Sequence, residues 1–165
     1  MILDSAWVFS DAQAMPNNTE SICTNHIDWT ASKWKDWLNT SQPLWIVFTC
    51  NTVPGAGTSI CIEFYQHTTT TITSGDLLLT TRAVAVADLS ADPFDEGHYI
   101  AAIPLLSVFY GIQNADRDRY AGPVLKGSGN VSTGKVDGWL HMGVNPPQWV
   151  APPAVVDASN IVKPS

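Results

Sequence analysis

Two neighbouring segments with different hydrophobic patterns constrain this chain most. Pro43–Cys50 (Pro-Leu-Trp-Ile-Val-Phe-Thr-Cys) is a short run of aromatic and β-branched residues. A run of that length, bounded by turn residues, reads as a strand buried on both faces. Thr58–His67 alternates instead: Ile60, Ile62 and Phe64 point one way, Ser59, Cys61, Glu63 and Tyr65 the other. That is the period of a half-buried strand. Asn51–Gly57 holds Pro54, Gly55 and Gly57, which suit a turn. The expectation is a strand that pairs back on its predecessor, leaving Cys50 and Cys61 able to face each other across a hairpin.

The same punctuation continues along the chain. Asp76–Ala87 contains a further strand, and Leu89–Gly97 is an acidic loop with Asp92, Asp95 and Glu96. His98–Leu106 is an apolar strand in which Pro104 marks an end or a sheet edge. Arg119–Lys126 and Lys135–Val144 read as a last strand pair joined by the loop Gly127–Gly134. The one helical pattern is Ser32–Leu38, capped by Ser32, with Trp34, Trp37 and Leu38 on one face. No amphipathic helix of ten or more residues separates the strands. The fold class expected is therefore all-β, an antiparallel jelly roll or β-sandwich. One domain spans 1–144, with an extended N-terminal arm over 1–14 and an extended Pro-rich tail over 145–165.

Charge is sparse. Asp, Glu, Lys and Arg make up 14% of the chain, against about 25% in ordinary domains. With seven tryptophans, that balance suits a surface destined for an assembly, where charge is depleted and aromatics enriched. A Thr-rich solvent face on a sandwich explains the same numbers. The net charge is −7 and the eight basic residues are scattered. Nucleic acid and anionic membranes are disfavoured as partners, because both need a basic stripe. No apolar run approaches the roughly 20 residues that span a bilayer. Cys23, Cys50 and Cys61 form no Cys-x-x-Cys and read as reduced thiols.

A search for chemistry yields little. His26, His67, His98 and His141 are far apart, so neither a metal nor a cofactor is expected. Gly55-Ala-Gly57-Thr-Ser59 lacks the lysine and following helix of a phosphate loop. The acidic loop lacks regular calcium-ligand spacing. No Gly-x-Ser-x-Gly elbow occurs. Tryptophan is left as the informative residue type. Trp45 is expected in the core and Trp139 at a surface or interface, while Trp34 and Trp37 fit either an interface knob or local core. Exposed indoles also stack sugars, which keeps a carbohydrate-binding module in view.

The chain opens with Met1-Ile2-Leu3-Asp4-Ser5-Ala6-Trp7-Val8-Phe9-Ser10-Asp11-Ala12-Gln13-Ala14. Ends are normally polar and frayed; this one is apolar and is expected to be buried in its own sheet or against a partner. It has no basic n-region, and Asp4 and Asp11 interrupt it, unlike a secretory signal. Met1-Ile-Leu-Asp4 and Phe9-Ser-Asp-Ala-Gln-Ala14 resemble the opening of the capsid cement (decoration) proteins of tailed bacteriophages. Thr133-Gly134-Lys135-Val136, preceded by Arg119-Tyr120 and Gly127-Ser-Gly129, resembles the closing strands of the Bordetella-phage-type cement proteins. The two ends together cover about a quarter of the chain.

The resemblance implies a non-enzymatic jelly-roll protein on the virion, made in the bacterial cytoplasm and bound to the capsid exterior. Its implied partners are the major capsid protein of an HK97-like shell and further copies of itself, as a homodimer or homotrimer. It implies that the protein bridges adjacent capsid subunits and stabilises the head. The residues expected at the shell or protomer interface are Ile2, Leu3, Trp7, Phe9, Trp34, Trp37 and Trp139. The alternative is a carbohydrate-binding jelly-roll module on the virion surface.

Overall fold

The computed structural model describes residues 8–17, 19–30, 43–72, 76–105, 108 and 118–143. Ten strands account for most of them: β1 Val8–Ala14, β2 Glu20–Ile22, β3 Ile27–Asp28, β4 Leu44–Thr52, β5 Ser59–His67, β6 Asp76–Thr80, β7 Val84–Ala85, β8 Tyr99–Pro104, β9 Tyr120–Ser128 and β10 Lys135–Met142. All pairings are antiparallel. One sheet has the order β1-β10-β4-β8; the other has β2-β9-β5-β6, with β3 added on β9 and β7 on β5. The all-β expectation is met.

The strands were legible, but two pairings were not. β4 and β5 do not form a hairpin: β4 lies between β10 and β8, and β5 belongs to the other sheet. The Pro/Gly segment between them is an arch from one sheet to the other. It is held by Gly55 N–H to Ser132 O at 3.0 Å and Thr58 N–H to Ser128 O at 2.8 Å. β9 and β10 are likewise separated rather than paired. The reason is the core. A hairpin would set Ile46 and Phe48 beside Ile60, Ile62 and Phe64; the arch sets them facing, in one cluster, all at 0% exposure. Cys50 and Cys61 therefore sit in opposite sheets, both as free thiols.

The alternation expected for β5 is observed for Ile60, Ile62 and Phe64, which are buried, and for Ser59, Cys61 and Tyr65, which are partly exposed; Glu63, expected on the exposed side, is instead buried beside Lys126. β4 is buried on both faces from Ile46 to Cys50. β8 ends at Pro104 and forms a sheet edge, as that proline suggested. Across the first sheet runs one row, Ser10, Gly138, Phe48 and Ala101. The Phe48 ring lies over Gly138, where an added Cβ would stand 2.4 Å from Phe48 Cε1 and 2.9 Å from Ser10 Oγ. One large ring among three small residues fills the row at native density.

Connectivity gives the structure two unlike ends. Val8 pairs with Trp139, Leu44 with Met142, and Pro104 with Trp45. The first sheet therefore gathers the start of β1, the start of β4, the end of β8 and the end of β10 at one end. Residues 1–7, 31–42, 109–117 and 144–165 join the described structure there. The opposite end holds the short arches 53–58 and 129–134 and the loop 86–98. The expected helix Ser32–Leu38 and the Pro-rich tail lie outside the described residues.

Candidate interaction surface

The residues singled out at the chain start separate at Val8. Ile2, Leu3 and Trp7 lie outside the described residues, as do Trp34 and Trp37. Phe9 is placed, and it is a core residue: 3% exposed, in the cluster shared by both sheets. Its ring anchors β1 to this chain's own interior, so the expected interface role for Phe9 is corrected. Residues 8–14 are likewise an edge strand of the first sheet rather than a free arm.

That edge is closed off by side chains. A shift in register accompanies Ala12, whose φ is 44°, and the Ala12 N–H is taken by Asp137 Oδ1 at 2.6 Å. The Val8 carbonyl accepts from Asn25 Nδ2 at 2.6 Å, and the Phe9 carbonyl from the Asn25 N–H at 3.2 Å. Gln13 Nε2 donates to Ile22 O at 2.6 Å and Ser21 Oγ at 2.8 Å, reaching the second sheet. Bulging and side-chain capping protect an edge against pairing with other chains. Under this strand Ser10 and Cys23 are 1% and 4% exposed. Burial, slightly offset by the Ser10 hydroxyl, pushes the Cys23 thiol up to about 12.

The outer face of the first sheet carries a second apolar cluster of Val47, Tyr99 and Ala102, overlain by Trp45 and Trp139. Trp45 thus belongs to this outer cluster and not to the central core expected for it. Its face follows from register: Trp45 and Val47 are two apart on β4, opposite His141 and Trp139. Trp139, expected at a surface, is half-buried between Val8 and Val47. Trp45 Nε1 donates to Gly143 O at 3.1 Å, and Trp139 Nε1 is buried without a partner. Neither indole N–H is turned to solvent. The face offers aromatic area but withdraws the donors that would select a sugar hydroxyl.

The outer face of the second sheet is polar and self-satisfied. Lys126 Nζ lies 2.8 Å from Glu63 Oε2 and 3.0 Å from Glu20 Oε1, and Tyr65 OH donates to Glu63. Burial opposes ionisation of Glu63, but Lys126 and Tyr65 together outweigh it and hold its carboxyl below the usual range. Glu63 and Glu20 in turn hold Lys126 protonated, well above an ordinary lysine. Further along, Arg119 grips Asp28 at 2.8 Å and lies 4.9 Å over the Tyr120 ring. Hydrogen bonds from Arg119 and Thr30 keep Asp28 ionised far below its normal value. His26, two residues from Asp28, is lowered by burial against the pull of Asp28. Each ion in these groups already has a counter-ion. The pairs tie β2, β5 and β9 together on one side and β3 to the start of β9 on the other.

Among the described residues, no group of three or more His, Cys, Asp or Glu side chains is placed to hold a metal ion. No helix among them is long and apolar enough to cross a membrane. One feature escaped the reading of residue order: Phe94, in the acidic loop, is 78% exposed. The available signal was its flanks, Asp92-Pro93 and Asp95-Glu96, which no buried strand tolerates. Compared with family models and with curated proteins, the sequence matches none.

Proposed function

We propose that this chain is a non-enzymatic capsid decoration protein, a jelly-roll clasp that binds the outside of an icosahedral phage head and bridges adjacent major capsid subunits. The strand orders 1-10-4-8 and 2-9-5-6 support the jelly-roll reading. Taken in chain order, β1, β2, β4, β5, β6, β8, β9 and β10 change sheet at every step except β5 to β6, which pair as neighbours, the pattern of two interlocked Greek keys. The resemblance of the chain's opening and closing segments to cement proteins supports the role.

The observation that carries the proposal is positional. Val8 enters at the edge of the first sheet opposite Trp139, so the segment that carries Ile2, Leu3 and Trp7 is attached at one end of the domain. Trp34 and Trp37 belong to a segment that joins the same end. The described residues to which these segments are attached thus lie at one end, while the second sheet's outer face is occupied by paired ions. A protein that binds the expanded lattice and not the immature one stabilises the former by mass action. Two contacts on one rigid body raise the effective concentration of the second, so each can be weak.

The test is co-sedimentation of the full chain with expanded and with immature shells. Retention by expanded shells alone is the expected result, and deletion of residues 2–7 abolishes it. Absence of the protein from expanded shells would refute the proposal. The deletion stops before Phe9, because removing that core residue destabilises the domain and confounds a test of binding.

A further inference from the structure

The four phenylalanines among the described residues divide sharply: Phe9, Phe48 and Phe64 are 0–3% exposed and Phe94 is 78% exposed. Phe94 stands on a loop whose shape is fixed from within. Ser90 N–H bonds Gly97 O at 2.9 Å, closing the base. Ser90 Oγ donates to Asp95 Oδ2 at 2.7 Å and accepts from the Asp92 N–H at 3.1 Å. The Phe94 N–H itself is held by Asp92 Oδ1 at 3.0 Å. Gly97 lets the strands of the loop meet, since a Cβ there would lie 1.9 Å from Asp88 O. An aromatic ring on a preorganised loop costs little entropy to bury and is the residue type that anchors interfaces.

The surroundings of the ring select its partner. Asp88, Asp92 and Asp95 are exposed, and the sequence from Ala83 to Asp116 contains no Lys or Arg. A complementary surface has an apolar pocket with a cationic rim. A second copy of this chain is a poor match, because it carries a net charge of −7 and its eight basic residues are scattered along the sequence. The loop also lies at the end opposite the one where β1 begins at Val8. It joins β7, which pairs with the start of β5, to β8, whose Tyr99 pairs with Thr49 near the end of β4.

We propose that Phe94 is the anchor of a second contact, inserting into a basic-rimmed apolar pocket of a capsid subunit other than the one engaged by the chain's opening segment. The inference rests on the capsid reading and gives it the second site that bridging requires. The test compares the full-length protein with Phe94→Ala and with the double variant Asp92→Asn/Asp95→Asn, which keeps the loop's hydrogen-bond acceptors. Binding to expanded shells is measured by co-sedimentation at low and high salt, with melting temperature and sedimentation velocity alongside. Phe94→Ala is expected to weaken binding at least tenfold with an unchanged melting temperature. The double variant is expected to weaken binding several-fold at low salt only, as a screened charge contribution must. Equal binding by Phe94→Ala overturns the inference and leaves the capsid reading standing. A lowered melting temperature makes Phe94 structural, and a change in oligomeric state makes its partner a second copy; either overturns the inference. Failure of the unmodified protein to bind overturns both readings.

Discussion

Replacing Phe9 by Ala separates a core role from an interface role at the strand where the two are easiest to confuse. Phe9 is 3% exposed within the cluster formed by both sheets. Truncating a buried phenylalanine costs about 3–5 kcal/mol, more where the surroundings cannot collapse into the space. Collapse is restricted here. Asn25 pins the carbonyls of Val8 and Phe9, Asp137 holds the Ala12 N–H, and Gln13 ties the strand to Ile22. A loss of about 4 kcal/mol follows, a large part of the roughly 5–15 kcal/mol that holds a domain folded. In urea, with a slope of about 2 kcal/mol/M, the midpoint falls by about 2 M. The assay is equilibrium unfolding followed by tryptophan fluorescence, with no partner present. If the midpoint is unchanged while binding to shells is lost, Phe9 is an interface residue and the assignment of β1 to the core is wrong.

Three further outcomes follow from the geometry. Gly138→Ala places a methyl against Phe48 and Ser10 and should cost about 1–3 kcal/mol as overpacking; pairing it with Phe48→Leu should recover part of that loss, and additivity of the two would show that they do not touch. Glu63 has a folded-state pKa below its unfolded value of about 4.3, so its contribution is complete above that pH and is lost as pH falls through the folded value. Glu63→Gln should flatten the acid limb of a stability–pH curve between about pH 5 and the folded value, and an unaltered limb would show that the Lys126 pair contributes nothing. Burial raises all three thiols, Cys23 to about 12 and Cys50 to about 11, and Cys61 is the most accessible. A disulfide-exchange reagent at pH 8 should therefore modify Cys61 first and the other two only on unfolding, and early modification of Cys23 would contradict its placement under β1.

The strands were legible because their signal is local. Period two in β5, the doubly apolar run of β4 and the proline that ends β8 each state where one strand lies and how much of it is covered. Partner choice is not local. A Pro/Gly segment serves an arch as well as a hairpin, so Asn51–Gly57 carried no information about which sheet came next. Only the facing of Ile46 and Phe48 against Ile62 and Phe64 decides it, and that is a property of the assembled core. The position of Trp45 is hidden in the sequence for a related reason. Its context is apolar, but β4 has apolar residues on both faces, and the side that looks outward depends on which neighbours close over it.

Phe9 and Phe94 show the same limit at the level of the site. Each is a phenylalanine next to small or polar residues, in Val8-Phe9-Ser10 and Pro93-Phe94-Asp95. The first is a core residue because a strand edge is stitched over it; the second is exposed because a loop closes beneath it. What distinguishes them is where the backbone finds its hydrogen bonds. Phe9 gives its carbonyl to Asn25, sixteen residues away along the chain, whereas the Phe94 N–H finds its acceptor two residues back. A long-range bond fixes a strand in a layer, and a short-range one fixes a turn above it. That difference puts one ring inside the protein and makes the other available to a partner.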